Sequence, residues 1–192
     1  MKKADELPIL SFASQQIWEA WLNEHHTEKG IWLKFAKKGS GIASVNYAEA
    51  LEVALCYGWI DAQKASFDEQ YWLQRFTPRG PKSIWSKVNC DKATALIAQG
   101  RMHPAGLQHI ERAKADRRWD ASYDPQSTIT VPPDLQRELD NNEAAKEFFG
   151  TLNSANRYAI LFRIQTARKP ETRAARIQKF IAMLANNQKI HP

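Results

Sequence analysis

The chain has 192 residues, 43% of them apolar and 25% charged, with only eight Gly and nine Pro. That suffices for one full core or a domain with a helical extension, and it excludes two large independent domains, a repeat array and a disordered chain. The net charge of +6 lies at the C-terminal end: residues 1–150 hold 19 Lys and Arg against 20 Asp and Glu, whereas residues 151–192 hold eight against one.

The opening MKKADELPIL has Lys2 and Lys3 but places Asp5, Glu6 and Pro8 where a secretory signal needs an unbroken apolar run. No apolar run approaches membrane-spanning length either. A cytoplasmic protein that keeps both thiols reduced is therefore expected. Ser14 then caps a helix with Ile17, Trp18, Trp21 and Leu22 on one face, ending near His25 and His26. In GIWLKFAKKG, Ile31, Leu33 and Phe35 alternate with Trp32, Lys34 and Ala36, which is the period of a half-buried strand. NYAEALEVALCYG reads as a helix with Asn46 as cap, Glu49 completing a capping box and Gly58 just past its end. Its buried face is expected to be Ala50, Leu51, Ala54 and Leu55.

WIDAQKASF and QYWLQRFT are two strand-like runs joined at Asp68 and Glu69, the signal of a hairpin. From Ser83 onward the pattern is helical. Ser83 caps a short helix holding Trp85, Asn89 or Asp91 caps one through Leu96 and Ile97, and Pro104 opens one running to about Trp119. Cys56 falls on an apolar helix face and Cys90 in a polar turn. DASYDPQSTITVPPD has a linker's density of Pro, Ser and Asp. One or two amphipathic helices follow from Pro133 to Phe149, another from Asn153 or Ser154 through Ile164, and a last one from Pro170. In that last helix Ile177, Phe180, Ile181 and Leu184 form one stripe that packs on the preceding helix, each buried side chain being worth roughly 1.5–3 kcal/mol. Arg173, Arg176 and Lys179 fall on other faces and are expected to be solvated. The fold class is thus α+β: a small antiparallel sheet with helices over residues 1–120, a linker at 121–133 and an all-helical region at 134–192.

Several motifs, GWID at Gly58–Asp61, RFTPR at Arg75–Arg79, SIWSKVN at Ser83–Asn89, GRMHPAGL at Gly100–Leu107 and the C-terminal RYAILFRIQTARKPETRAARI, resemble the YdeI/OmpD-associated, or bacteriocin-protection, proteins. The resemblance implies an α+β N-terminal part, a helical C-terminal part and an association with tolerance of bacteriocins or cationic peptides. It brings no established reaction and no cofactor. His103 stands where the family leads one to expect a small hydroxyl residue before the Pro.

The five His residues share no metal-ligand spacing. Cys90 lies beside Asp91, which raises its pKa, and KKGSGIAS lacks the lysine and the strand-to-helix context of a phosphate loop. The stretch from Gly58 to Asn89 remains. Arg75, Thr77 and Arg79 are spaced by two, so a strand projects all three from one face, with Trp72, Gln74 and Phe76 on the other. Two guanidinium groups flanking a hydroxyl suit a carboxylate or phosphate. Trp59, Tyr71 and Trp85 supply flat walls, Asp61 a carboxylate suited to proton transfer, and Ser86 and Asn89 further polar groups. The same residues admit a structural reading, in which Asp61 and an Arg form a buried ion pair, the Trp residues are core, and Ser86 and Asn89 are caps.

Hairpin register discriminates between these. A three-residue loop sets Tyr71 opposite Phe67, Arg75 opposite Gln63, Thr77 opposite Asp61 and Arg79 opposite Trp59, which gathers the polar groups on one face. A two-residue loop slips the pairing by one and sets Asp61 opposite Phe76. The odd loop is expected, and with it a cleft that holds a small anion between Arg75 and Arg79. The competing expectation is a binding module that meets nucleic acid or an acidic protein through Arg173, Arg176 and Lys179. Exposed aromatics interleaved with those arginines, which single-strand binders use, are missing there.

Overall fold

The computed structural model describes residues 7–192. Lys2, Lys3, Asp5 and Glu6, on which the reading of the N-terminus rests, lie outside them. Among the described residues are four strands and eight helices: β1 (Ile9–Ser11), α1 (Gln15–His25), β2 (Ile31–Ala36), α2 (Tyr47–Cys56), β3 (Trp59–Ser66), β4 (Tyr71–Pro78), α3 (Lys87–Ala98), α4 (Pro104–Ala115), α5 (Pro133–Asp140), α6 (Glu143–Thr151), α7 (Ser154–Gln165) and α8 (Pro170–Ala185). The architecture is α+β with a helical C-terminal part. Two compact units divide it, one running to Trp85 and resuming over Asn89–Asp120, the other comprising Ser86–Val88 and Ala121–Pro192.

In the first unit the sheet order is β1-β2-β4-β3. The sheet is mixed, not purely antiparallel: β1 pairs parallel with β2, while β2 with β4 and β3 with β4 are antiparallel. α1 starts where Ser14 accepts the Ile17 amide hydrogen, and α2 where Asn46 and Glu49 close a reciprocal capping box. Trp18 and Leu22 of α1 are buried, but Ile17 is exposed. One face of the sheet supplies Ile31, Leu33, Phe35, Trp59 and Phe76 to a core shared with these two helices and with Leu96 and Ile110.

Two glycines fix how the elements close up. Gly58 ends α2 with φ +75°, and a Cβ there would lie 2.5 Å from the His109 ring. Gly106, inside α4, lies so close to the end of α2 that a Cβ would sit 2.2 Å from the Cys56 carbonyl oxygen. The same carbonyl accepts the His103 amide hydrogen at 3.1 Å. His103 is itself the N-cap of α4, its Nδ1 accepting the Ala105 amide hydrogen at 3.2 Å. An imidazole thus does the work of the hydroxyl residue expected there.

α3 is one continuous helix, so Asn89 and Cys90 lie within it and are buried, whereas a cap and a polar turn were expected. In the second unit Ile177, Phe180, Ile181 and Leu184 are buried in a core with Ile160, Leu161 and Ile164 of α7. α8 packs against α7 as its apolar stripe demands, and also against α5 and α6. No helix among the described residues is long and apolar enough to cross a membrane.

Candidate functional site

The hairpin has both registers. Near its tip Ser66 faces Trp72, Ala65 faces Leu73 and Lys64 faces Gln74, the pairing of the odd loop. A bulge between Asp61 and Lys64 then slips the ladder by one, so that Asp61 faces Phe76, Ile60 faces Thr77 and Trp59 faces Pro78. The buried Gln74 side chain donates to the Ala62 carbonyl at 3.0 Å and so satisfies the backbone group that the bulge frees. Asp61 therefore shares the core-side face with Phe76, and Arg75 lies on the opposite face. This overturns the expected common cleft of Asp61, Arg75 and Arg79. Asp61 instead accepts the Tyr47 hydroxyl hydrogen at 2.8 Å.

Trp59 and Trp85 are core, at 0% and 2% exposure. Trp59 Nε1 donates to the His26 carbonyl at 2.7 Å. Arg79 is buried, lies 3.5 Å over the Trp85 ring and donates through Nη1 to the Ile84 carbonyl. Arg118, also buried, donates from Nε to both Asp116 oxygens at 2.8 and 2.7 Å and from Nη1 to the Ser83 carbonyl at 2.7 Å. The Arg79–Trp85 segment is thus wrapped around two guanidinium groups, which the spacing of the motif did not reveal because Arg118 is far away in sequence. Burial, then Arg112, Arg79 and Arg118, lowers the pKa of His109 beside them. Ser86 groups with the second unit, bridging to Tyr123.

On the core-side rim of the sheet a cavity of about 330 Å³ lies between the Lys37–Gly41 loop and the aromatic side chains of Phe35, Tyr47 and Trp72. Phe35 and Trp72 stack with centroids 4.7 Å apart, and Lys64 Nζ lies 4.5 Å over Trp72. Lys37 and Lys38 line the cavity, and no carboxylate of the described residues does. Gly39 and Gly41 turn the loop with φ +86° and +70°. Contrary to expectation, KKGSGIAS does join a strand to a helix, β2 to α2. It is still no phosphate loop, because the capping box occupies the helix N-terminus.

The outward face of the sheet carries Trp32 and Lys34 of β2 beside Tyr71, Leu73, Arg75 and Thr77 of β4, with Trp32 directly opposite Arg75. Leu73 is buried yet stands outside the unit's core. Lys34 Nζ lies 4.1 Å over the Tyr71 ring and 4.7 Å over Phe67. Tyr71, Arg75 and Thr77 of the expected site are brought together here, while Trp32 and Lys34 were read only as the back of a strand.

Arg157, Arg173 and Arg176 of the C-terminal part have internal partners. Arg173 makes a two-pronged pair with Asp134 at 2.6 and 2.9 Å, which holds the Asp134 pKa below the usual carboxylate value, and it donates to the Ile164 carbonyl at 2.9 Å. Arg176 donates to the Arg163 carbonyl, and Arg157 to those of Phe149 and Gly150. Arg173 and Arg176 are half-buried rather than solvated, and Lys179 is exposed. Cys56 is buried, and burial pushes its thiol up to about 11, which excludes it as a nucleophile at neutral pH. Among the described residues no three His, Cys, Asp or Glu are grouped as metal ligands.

Residues 10–109 match the family described as a domain of unknown function (DUF8412), and residues 128–187 match the family described as Bacteriocin-protection, YdeI or OmpD-Associated. No curated protein and no solved structure is significantly similar to the chain. The motifs from GWID to GRMHPAGL fall within the first match and RYAILFRIQTARKPETRAARI within the second, so the chain belongs to DUF8412, and its C-terminal helices match the YdeI/OmpD-associated family.

Proposed function

We propose that the protein binds a small anionic ligand with a flat ring in the cavity between the Lys37–Gly41 loop and the Phe35, Tyr47 and Trp72 side chains. One observation carries this reading: among the described residues the lining combines aromatic walls with two lysines and contains no carboxylate. Its volume is within the range of small-molecule sites, which are apolar with a few placed polar groups. Lys37 is anchored to the Asp68 carbonyl at 2.8 Å, which leaves Lys38 as the cation best placed to turn toward an anion. The cleft first read between Arg75 and Arg79 has no part in this site.

The name of the family matched at residues 128–187 supports a role for such binding in tolerance of bacteriocins or cationic peptides. A cytoplasmic location fits two buried thiols that form no disulfide. The other reading, nucleic acid or an acidic protein bound through Arg173, Arg176 and Lys179, is supported by the charge excess but weakened by the internal partners of both arginines.

Melting temperature measured against aromatic carboxylates and phosphates tests the proposal, since a ligand that binds only the folded chain raises it. An upward shift that Lys38→Gln and Trp72→Ala each diminish is expected. A panel with no active member, or a shift indifferent to both variants, would refute it. In cells lacking the gene, the wild-type copy should restore survival under a cationic antimicrobial peptide better than the Lys38→Gln copy does.

A further inference from the structure

The outward face of the sheet has a composition that folding of its own unit does not require. Across the paired strands β2 and β4, Trp32 stands opposite Arg75, with Lys34 and Tyr71 farther along the same face. No Asp or Glu occupies this face of the four strands, although residues 1–150 as a whole carry slightly more acids than bases. Lys34 is held over the rings of Tyr71 and Phe67, so cation and flat surface are presented together. The Nε of Arg75 is shielded from water and has no hydrogen-bond acceptor. That is a cost which the side chain sheds by turning to an acceptor brought from outside.

We infer that this face is a platform for single-stranded nucleic acid, with bases stacked on Trp32 and Tyr71 and backbone phosphates against Lys34 and Arg75. Shape selects the class of partner. A small ligand needs a concavity that covers most of its surface, whereas four strands spaced about 4.8 Å apart present a broad sheet face some 14 Å across. An occupant of such a face makes its contacts along a chain. Positive charge without carboxylates selects a polyanion, and the half-buried rings of Trp32 and Tyr71, which keep part of their surface in water, select one with flat, unpaired bases. A duplex hides those base faces in its own stack. The width suits two or three nucleotides, as on other open sheets that stack bases. Nothing in this depends on the cavity on the other side of the sheet.

The test uses the full chain with fluorescently labelled 12-residue U and dT oligonucleotides, followed by anisotropy from low to moderate salt. Binding is expected, weakening with a log–log salt slope of about −1.4 for two phosphate contacts. Lys34→Gln with Arg75→Gln should bring that slope near zero. Trp32→Ala should weaken binding about tenfold at every salt concentration. Trp32→Phe, which keeps a ring, should preserve binding but lose part of the tryptophan quenching, and it answers the question should the Ala variant fail to fold. Lys38→Gln, which is expected to diminish the small-ligand shift, should leave oligonucleotide affinity and its salt slope as they are, so failure of the small-ligand reading and failure of this one are separately visible. No binding at low salt, equal binding of duplex or heparin, or indifference to Trp32→Ala would overturn the inference. So would a concentration-dependent dimer that Trp32→Ala dissociates.

Discussion

The C-terminal helices and the N-terminal sheet present their cations in opposite ways. Between residues 151 and 192 eight Lys and Arg face a single acid, yet Arg157 closes the carbonyl end of α6, and Arg173 and Arg176 close that of α7. The last carbonyls of a helix lack partners within it and carry its negative dipole end, so a guanidinium is a natural closure. In the sheet-bearing unit the count is nearly balanced, but Lys34, Lys38 and Arg75 form no ion pair with an acid side chain of the described residues. Net charge over a segment records how many cations there are. Function depends on where their donors point.

If that contrast is right, substitutions should sort by internal partners, and the largest loss should come from Arg79. Arg79→Ala removes a desolvated cation–π contact with Trp85 and a charge-assisted hydrogen bond to Ile84, together worth about 3 kcal/mol. Urea unfolding should show that loss. A fully stable Arg79→Ala protein would mean that the segment holds its shape without the guanidinium.

Arg173→Ala should cost less, about 2 kcal/mol, for its links to Asp134 and the Ile164 carbonyl. Its pH dependence has a definite sign. The folded-state pKa of Asp134 is lowered, chiefly by its hydrogen bond with Arg173, so the pair's contribution is fully present above the ordinary carboxylate pKa of about 3.9 and is lost as pH falls through the folded value. Below that range the difference in melting temperature between the variant and the wild type should shrink to what the Ile164 hydrogen bond alone contributes. Lys34→Gln with Arg75→Gln, by contrast, should change stability by no more than about 0.5 kcal/mol, as surface substitutions usually do. A large loss there would make the outward face a structural element.

Where a feature depends on neighbours three or four residues away, the sequence is readable. The Asn46–Glu49 capping box, the Ser14 cap, the prolines that open α4 and α8, and the stripe from Ile177 to Leu184 all appear as their spacing suggests, and of the two candidates Asn153 and Ser154 it is Asn153 that caps α7. β1 escapes because three residues carry no period and are fixed by pairing with β2. The bulge escapes for a similar reason, since the carbonyl it frees is satisfied by Gln74 from the other strand. That one displaced residue carries Asp61 away from Arg75. Tyr71, Arg75 and Thr77 keep their common face because β4 itself is regular, and Arg79 is lost to the site because its surroundings come from Trp85 and Arg118.

His103 is a group whose internal role requires it to be uncharged. Its Nδ1 accepts the Ala105 amide hydrogen at the start of α4, its ring stacks on Tyr57 with centroids 4.8 Å apart, and His26 lies 5.0 Å away. A proton on Nδ1 turns the acceptor into a donor facing another donor and places positive charge at the positive end of the helix. Burial, then His26, lowers the folded-state pKa below the ordinary 6.5. Between the two values the unfolded chain binds more protons, so this contribution is complete above pH 6.5 and declines as pH falls below it. The loss should not exceed about 1 kcal/mol, the scale of one cap. His103→Asn keeps an accepting oxygen and removes the titration. It forfeits the stacking on Tyr57, so the quantity to compare is the difference in urea midpoint between pH 7.5 and pH 5.5 within each protein. That difference should be smaller in the variant, and an equal difference in both would assign the acid sensitivity to another group.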